Sequence, residues 1–346
     1  MKKYFFPLAV LCMGMFPGIY AQPIEDLFAA RDDASTYTQY YLSPMVNGLM
    51  YGMNDAWYHN AETHELWGIN VDISLSASII PDDEKSFTFV NSQYNFLSHS
   101  GGNVPLPTIA GGNTSTTLTL DYQGNTAQID ALDGLEDEWP VQLPVSMFFP
   151  TPMVQVGVGV PLNTDVVARF FPNVENEGWK FGLFGLGVKH SLSQYFPRNE
   201  EDDEADSGNH LNLSALAAFT RMRFTYIPQD TGIPGDGQEI VLDVNSFNFQ
   251  LIAGYDFSII NLYAAAGYSG GVSSLSALGS YEFDLDHDGN TSQDEIVYDP
   301  LDMRFEASGV RFTTGFSLNL GPASLYASYT LQKYQTFTAG LALDFN

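Results

Sequence analysis

One acidic loop has the residue types and the spacing of a calcium site. From Asp284 to Glu295 the sequence reads DLDHDGNTSQDE and matches the calcium-loop pattern at every specified position. Calcium binds about six to eight oxygens, and Gly289 permits the sharp turn that the loop needs. The flanking residues are strand-like, so the loop is not part of an EF-hand pair. The sequence predicts Ca2+ as cofactor, with a solvated acidic loop as the alternative. The six predicted ligands are Asp284, Asp286, Asp288, Asn290, Ser292 and Glu295.

Two other groupings could carry chemistry, and the sequence favours neither. Gly267–Gly271 has nucleophile-elbow spacing, but that motif requires a strand, a tight turn and a helix, and no helical pattern follows here. His59, Glu62, His64 and Glu65 could bind zinc, yet such a compact group without a second cluster is more often a set of rim residues. We therefore expect no enzymatic activity.

Four polar residues fall on strand faces that should line a lumen: Asn70, Asp72, Asp256 and Arg311. A charged group in such a place requires water or a partner. Two interpretations stay open. These side chains could line a pathway and shape its selectivity, or they could pair with an inserted segment and anchor it.

The charge balance excludes a nucleic-acid reader. The 346 residues contain 41 Asp and Glu against 13 Lys and Arg, a formal charge of −28, whereas proteins that bind nucleic acid present a basic surface. Hydrophobic residues make up 45% and aromatic residues 14%, which excludes disorder.

The amino terminus has the layout of a secretory signal peptide. Lys2 and Lys3 precede an apolar run from Tyr4 to Tyr20, and Ala21 suits the residue before a cleavage site. We expect residues 1–21 to be removed on export. Cys12, the single cysteine of the sequence, lies in this leader, so no disulfide is expected in the mature chain.

The mature chain alternates with a period of two residues. From Trp67 to Ile79 the odd positions are apolar, and the even positions carry Gly, Asn, Asp and Ser. Transmembrane strands take about nine to eleven residues, longer than the usual globular strand. The polar face holds small residues that are mostly uncharged, as a barrel interior allows.

This pattern predicts an all-β fold, a transmembrane antiparallel β-barrel of about fourteen strands over residues 67–346. The chain ends on a strand, which can close against the first one and remove both edges. The predicted strands are 67–79, 86–97, 115–122, 126–131, 141–148, 153–160, 165–171, 179–194, 211–226, 240–257, 260–271, 304–320, 322–333 and 335–345.

Residues 22–66 form a different, helical segment. Ile24, Leu27 and Phe28 share one helical face, and Ser43 followed by Pro44 predicts a second helix start. This second helix would present Met45, Leu49, Met50 and Met53 at helical spacing. We expect either a plug inside the lumen or a helix packed on the periplasmic rim.

An exported chain with a helical entry segment of this length and many long strands resembles the FadL-type outer-membrane transporters, and more loosely their relatives in Bacteroidota secretion machinery. The segment Leu42–Asn47 resembles the Asn-Pro-Ala entry motif of that family only in part. The resemblance implies that hydrophobic compounds enter from outside, pass a hatch and leave through the barrel wall.

Two function classes therefore stand. The first is an outer-membrane channel or transporter for small, apolar molecules. The second is a non-transporting barrel that docks in a larger outer-membrane or secretion complex through its acidic loops, and a blocked lumen would favour it. Both place the chain in the outer membrane, with lipid as a partner and no nucleic acid.

Overall fold

The computed structural model describes residues 30–122, 124–136, 147–176, 178–196, 211–228, 234–257, 259–282 and 296–345. These residues form one long helix, three short 3-10 turns and seventeen strands. The elements are α1 (Arg31–Met53), β1 (Ile69–Ile79), β2 (Ser86–Phe89), β3 (Leu97–Ser98), β4 (Val104–Pro107), β5 (Thr117–Tyr122), β6 (Asn125–Asp130), β7 (Phe148–Val160), β8 (Thr164–Asn176), β9 (Trp179–Ser191), β10 (Leu211–Tyr226), β11 (Glu239–Phe257), β12 (Ile260–Leu278), β13 (Ser280–Glu282), β14 (Ile296–Tyr298), β15 (Leu301–Leu320), β16 (Ala323–Leu331) and β17 (Thr336–Phe345).

Ten of these strands close an antiparallel barrel. Their order around the wall is β1-β17-β16-β15-β12-β11-β10-β9-β8-β7, and β1 also pairs with β7. Ile69 lies opposite Phe345 on one side and Val158 on the other. Because the first and last strands pair, the barrel wall has no free edge.

The two ends of the barrel differ in their connections. At one end, which we call the turn end, β7 joins β8, β11 joins β12 and β15 joins β16 through short turns, and residues 192–210 connect β9 to β10. At the opposite end, which we call the loop end, residues 80–147 connect β1 to β7 and residues 279–300 connect β12 to β15. The small sheets β2-β4 and β3-β5-β6 belong to the first of these long connections.

The predicted count of about fourteen strands is wrong, since the barrel has ten. Predicted strands 86–97, 115–122 and 126–131 correspond to β2, β3, β5 and β6, which lie in the small sheets and have at most six residues each. Strands this short cannot span a bilayer as barrel strands do. Most of the predicted strand 141–148 lies outside the described residues.

An apolar belt surrounds the barrel on its outer face. On β1 the odd residues such as Ile73 and Leu75 are exposed, whereas Asp72 and Ser76 face inward and are fully buried. Every barrel strand exposes large apolar side chains in this way. Such a surface is that of a transmembrane barrel, since soluble proteins rarely expose a continuous apolar surface of this size to water. Examples from the other strands are Val156, Phe170, Phe184, Phe219, Leu251, Leu262, Phe316, Leu325 and Phe337.

The helix α1 runs through the lumen. It begins at Arg31 and continues past Pro44, so the helix start predicted at Ser43 is wrong. A proline in a helix interior removes one backbone hydrogen bond. Burial of the apolar side chains of α1 in the barrel offsets that loss. None of the described helices combines the length and the apolar character that crossing a bilayer would require.

After α1, the chain continues along the lumen to the turn end, where β1 begins. We call the described residues 30–66 the plug. Its first residues pack on the small sheets at the loop end, and its last residues contact the wall at the turn end. The interior position, one of the two expected for this segment, is therefore the one adopted.

Candidate functional site

The plug and the wall around it form the candidate site, and the plug is fixed first at its amino end. Asp33 is buried, and its carboxylate accepts the backbone N–H groups of Asn95, Phe96 and Leu97 at 2.9, 2.7 and 2.8 Å. Backbone donors to a carboxylate form strong, charge-assisted hydrogen bonds. The start of α1 is thereby tied to the loop-end sheets.

The loop-end half of the lumen is apolar. Leu49, Met50 and Met53 of α1 are buried, and Met45 packs at the edge of the same cluster, so the four residues predicted for a plug all contact the barrel interior. The wall around them is apolar as well, although the alternation predicted small polar residues there. Its buried members are Phe149, Met153, Leu183, Met222, Val244, Leu275, Met303 and Phe305.

The helix approaches strand β7 most closely at two glycines. A Cβ added at Gly48 would lie 3.0 Å from the Phe149 Cβ, and one added at Gly52 would lie 2.9 Å from the Thr151 Cβ. Both distances are shorter than ordinary Cβ contacts, so a larger residue at either position would require α1 or the wall to shift by several tenths of an ångström. Glycine thus lets α1 lie this close to β7.

Two buried arginines of the wall bind the end of α1. Arg169 donates to the Met53 carbonyl at 2.8 Å and to the Asp55 carbonyl at 2.6 Å, and Arg311 donates to the Asn54 carbonyl at 3.0 Å. The last carbonyls of a helix have no partner within the helix and carry partial negative charge. Arg169 on β8 and Arg311 on β15 therefore fix the carboxyl end of α1 at mid-barrel.

Side chains from further strands complete this clamp. The Asp55 carboxylate forms an ion pair with Arg311 and accepts the Thr330 hydroxyl at 2.8 Å. Asn248 donates to the Asn54 carbonyl at 2.9 Å, and Asn54 itself donates to the Gly270 carbonyl at 3.2 Å. We call Arg169, Arg311, Asp55 and Asn54 the arginine clamp.

An aromatic contact extends the clamp toward the turn end. The Arg169 guanidinium carbon lies 3.7 Å from the centre of a Trp57 ring, a cation–π contact. Trp57 is itself buried against Ala218 and Val167 of the wall. The sequence analysis singled out Arg311 but missed Arg169, although Arg169 lies in register with Gln155 and shares the inward alternation of its strand.

A second polar cluster holds the plug at the turn end. His64 lies between two wall carboxylates, with Nδ1 3.0 Å from Asp165 and Nε2 3.0 Å from Asp344. Lys189 pairs with Asp165 at 3.2 Å, and Asn70 donates to Asp344 at 2.7 Å. Burial lowers the pKa of His64, but the hydrogen bonds to both carboxylates outweigh it and raise that pKa to about 9. His64 is thus a cation at neutral pH.

The other predicted lumen residues also make internal contacts. Asp72 is fully buried and accepts the Tyr326 hydroxyl at 2.9 Å. His59 stacks on Tyr326. Asp256 accepts an N–H of Asn212 at 2.8 Å. Asn70, Asp72, Asp256 and Arg311 therefore all face inward, and Arg311 binds the plug directly.

His59 and His64, the two histidines of the zinc interpretation, contact different partners: His59 stacks on Tyr326, and His64 lies against Asp165 and Asp344. Among the described residues, no group of three or more His, Cys, Asp or Glu could hold a metal ion. The predicted calcium ligands at 284–295 lie outside the described residues. The strands that flank them, β13 and β14, pair antiparallel, as expected for a hairpin rather than an EF-hand.

Comparison with known proteins gives a family and a set of similar barrels. The model of the "Family of unknown function (DUF6588)" matches residues 1–345. No curated protein has significant sequence similarity to the chain.

Solved outer-membrane barrels are similar at low identity. Ail, the attachment invasion locus protein of Yersinia pestis, is 10% identical, with 81% of this chain and 100% of Ail covered and a TM-score of 0.26. The outer membrane protease OmpT of Escherichia coli is 10% identical (84% and 100% covered, TM-score 0.27). A Pseudomonas aeruginosa FadL homologue is 12% identical (89% and 98% covered, TM-score 0.26). Similarity at these values carries no information on function.

Proposed function

We propose that this chain, which belongs to the DUF6588 family of unknown function, is an outer-membrane barrel that passes small, largely apolar molecules when α1 leaves the lumen. The membrane location is supported by the apolar belt on all ten strands. The predicted signal peptide, and the position of the two longest connections, residues 80–147 and 279–300, at the loop end, support export with the loop end facing outward.

The observation that carries the proposal is the apolar chamber around α1. Its wall includes Met153, Met222 and Met303, and methionine side chains adapt to occupants of different shape. A chamber lined in this way would accept an apolar ligand in place of the helix. Toward the turn end the wall becomes polar, with buried hydroxyls at Ser214, Ser246 and Ser317.

The test is to lock the helix to the wall. The mature chain is expected to contain no cysteine, so a Gly52→Cys/Thr151→Cys pair would be the only one available for a disulfide. Their Cβ atoms would be 2.9 Å apart, slightly closer than the roughly 3.5–4.5 Å of a disulfide, so a small shift would permit the bond. Cells that express the barrel are then assayed for uptake of radiolabelled naphthalene.

We expect uptake above that of barrel-free cells for the parent chain and for the reduced double variant, and background uptake for the oxidised one. Thr151→Cys alone, under the same oxidation, is the control and should behave as the parent. Unchanged uptake after locking would exclude passage through the lumen.

A second candidate is the non-transporting docking barrel. The arginine clamp favours it, because two buried arginines hold the plug inside the lumen and so keep the lumen blocked. Absence of uptake in every state, together with co-purification of a defined outer-membrane partner from detergent extracts, would support this candidate over the first.

A further inference from the structure

A basic patch lies on the outer surface of the barrel near the loop end. It comprises Lys180 on β9 and Arg221 and Arg223 on β10, whose side chains are 47%, 59% and 59% exposed. Four Lys or Arg side chains face outward on the described barrel strands, and three of them are in this patch. In a chain of formal charge −28, such a concentration of cations is unusual and points to a role in binding.

The patch lies where the apolar belt ends. On β10 the outward residues from Leu211 to Phe219 are apolar, and the next outward residues are Arg221 and Arg223. Nine residues of a strand tilted by about 40° rise roughly 20 Å, close to the ~25 Å height of a membrane-facing belt. Arg221 therefore lies at the level of lipid headgroups on the loop-end side, above the acyl chains that Phe219 and its neighbour Leu186 would contact.

The charges within the patch leave cationic capacity for a ligand. Asp243 of β11 accepts a hydrogen bond from Arg223 Nε at 2.8 Å, whereas Arg221 lies 3.8 Å from the same carboxylate, beyond hydrogen-bond distance. Lys180 pairs with Glu175 at 3.4 Å. Asp243 and Glu175 thus engage Arg223 and Lys180, and Glu239 also lies close enough to act on Arg223. The Arg221 guanidinium, which makes no hydrogen bond to Asp243, is the group left to bind a ligand.

A bulge in β8 adds an amide to this surface. The register of β8 against β9 shifts between Phe171 and Val174, and the Asn173 side chain comes to lie over Gly182. Gly182 is opposite Arg223 in the sheet. The bulge thus brings an amide, which is a neutral hydrogen-bonding group, beside the arginines.

We propose that this patch binds the phosphate of a phosphorylated lipid headgroup in the outer leaflet. Guanidinium groups bind phosphate through paired, charge-assisted hydrogen bonds, and the apolar residues below would contact the acyl chains of the same lipid. The inference rests on the membrane location given under Proposed function, but not on transport.

The experiment compares lipid retention by native mass spectrometry of the full-length mature barrel in detergent micelles. The probes are diphosphoryl lipid A and the same lipid after removal of its phosphates. The variant is Arg221→Gln/Arg223→Gln, and the matched control is Arg304→Gln, an outward cation near the loop end on β15. We expect retention of the phosphorylated lipid by the parent and the control, and a loss of about tenfold for the variant, the effect of one or two charge-assisted bonds.

Equal retention of both lipids by the parent, or equal retention by the parent and the variant, would overturn the proposal. Competition by millimolar inorganic phosphate as strong as that of the lipid would also overturn it, since the patch would then be a free-phosphate site. Heat-modifiable migration of each variant monitors insertion separately. A parent chain that does not insert into membranes would contradict the proposed function, whereas full insertion without lipid preference would contradict this inference alone.

Discussion

Arg311 of the barrel wall and Asp55 of the plug form an ion pair in which the two side chains are only 1% and 3% exposed. Removing two charges from water costs free energy that their attraction does not always return, so a pair of this kind sets position more than stability. Here it fixes where α1 ends within the lumen.

Replacement of Arg311 by Met should destabilise the barrel. The Asp55 carboxylate would stay buried without its cation, a change that costs about 3–5 kcal/mol. The free energy of unfolding, measured by chemical denaturation in detergent micelles, checks this expectation. Arg304→Met, at an exposed position, is the control. The double variant Arg311→Met/Asp55→Asn should recover much of the loss, and no recovery would show that the pair is not the cause.

Replacement of Asp33 by Asn should loosen the loop-end sheets from α1. Three backbone N–H groups would lose a charged acceptor, and hydrogen bonds to charged groups contribute about 1.5–3 kcal/mol each. Limited proteolysis should then cut near residues 95–97 sooner than in the parent. The neighbouring Asp32 is exposed, so Asp32→Asn should leave the digestion pattern unchanged. Equal patterns for both variants would contradict this role.

The turn-end contacts of the plug should weaken at alkaline pH. The pKa of His64 is raised from 6.5 to about 9, so its contribution to stability is complete below pH 6.5 and is lost as the pH rises through 9. The charged groups that face it are Asp165, Asp344 and Lys189. Hydrogen exchange of residues 60–66 should therefore accelerate between pH 7 and pH 10, after correction for the intrinsic rate. In His64→Gln this additional acceleration should disappear, and its persistence would assign the effect to another group.

Calcium binding by residues 284–295 stays a prediction from the sequence. Titration of the purified barrel by calorimetry should give a dissociation constant on the order of 0.1 to 1 mM, as for extracellular sites of this class. Glu295→Gln should abolish the heat, since the last residue of the loop supplies two ligand oxygens. Asp302→Asn, outside the loop, should not. Absence of heat from the parent chain would remove the site.

Only one property of the candidate site was predictable from the sequence: whether a strand residue faces inward or outward. Alternation placed Asp72 and Arg311 on the inward face, because successive side chains of a strand point to opposite sides whatever the fold. The partner of Arg311 could not be predicted, since Asp55 is 256 positions away and the two meet only after the plug enters the barrel. Arg169 also lies on the inward face of its strand, as Arg311 does. Its role became clear only from its hydrogen bonds to the Met53 and Asp55 carbonyls.

The sequence by itself determined the period of the strands, the apolar outer face from Ile69 to Ile79 and the existence of a helical segment before them, because these are local properties of side-chain order. Tertiary structure decided which strands belong to the wall. Strand β5 alternates as a barrel strand does, yet it pairs with β3 and β6, since pairing depends on neighbours far along the chain. Tertiary structure also decided that α1 continues past Pro44 and lies in the lumen. Burial of Leu49, Met50 and Met53 there outweighs the local preference to begin a helix at Ser43.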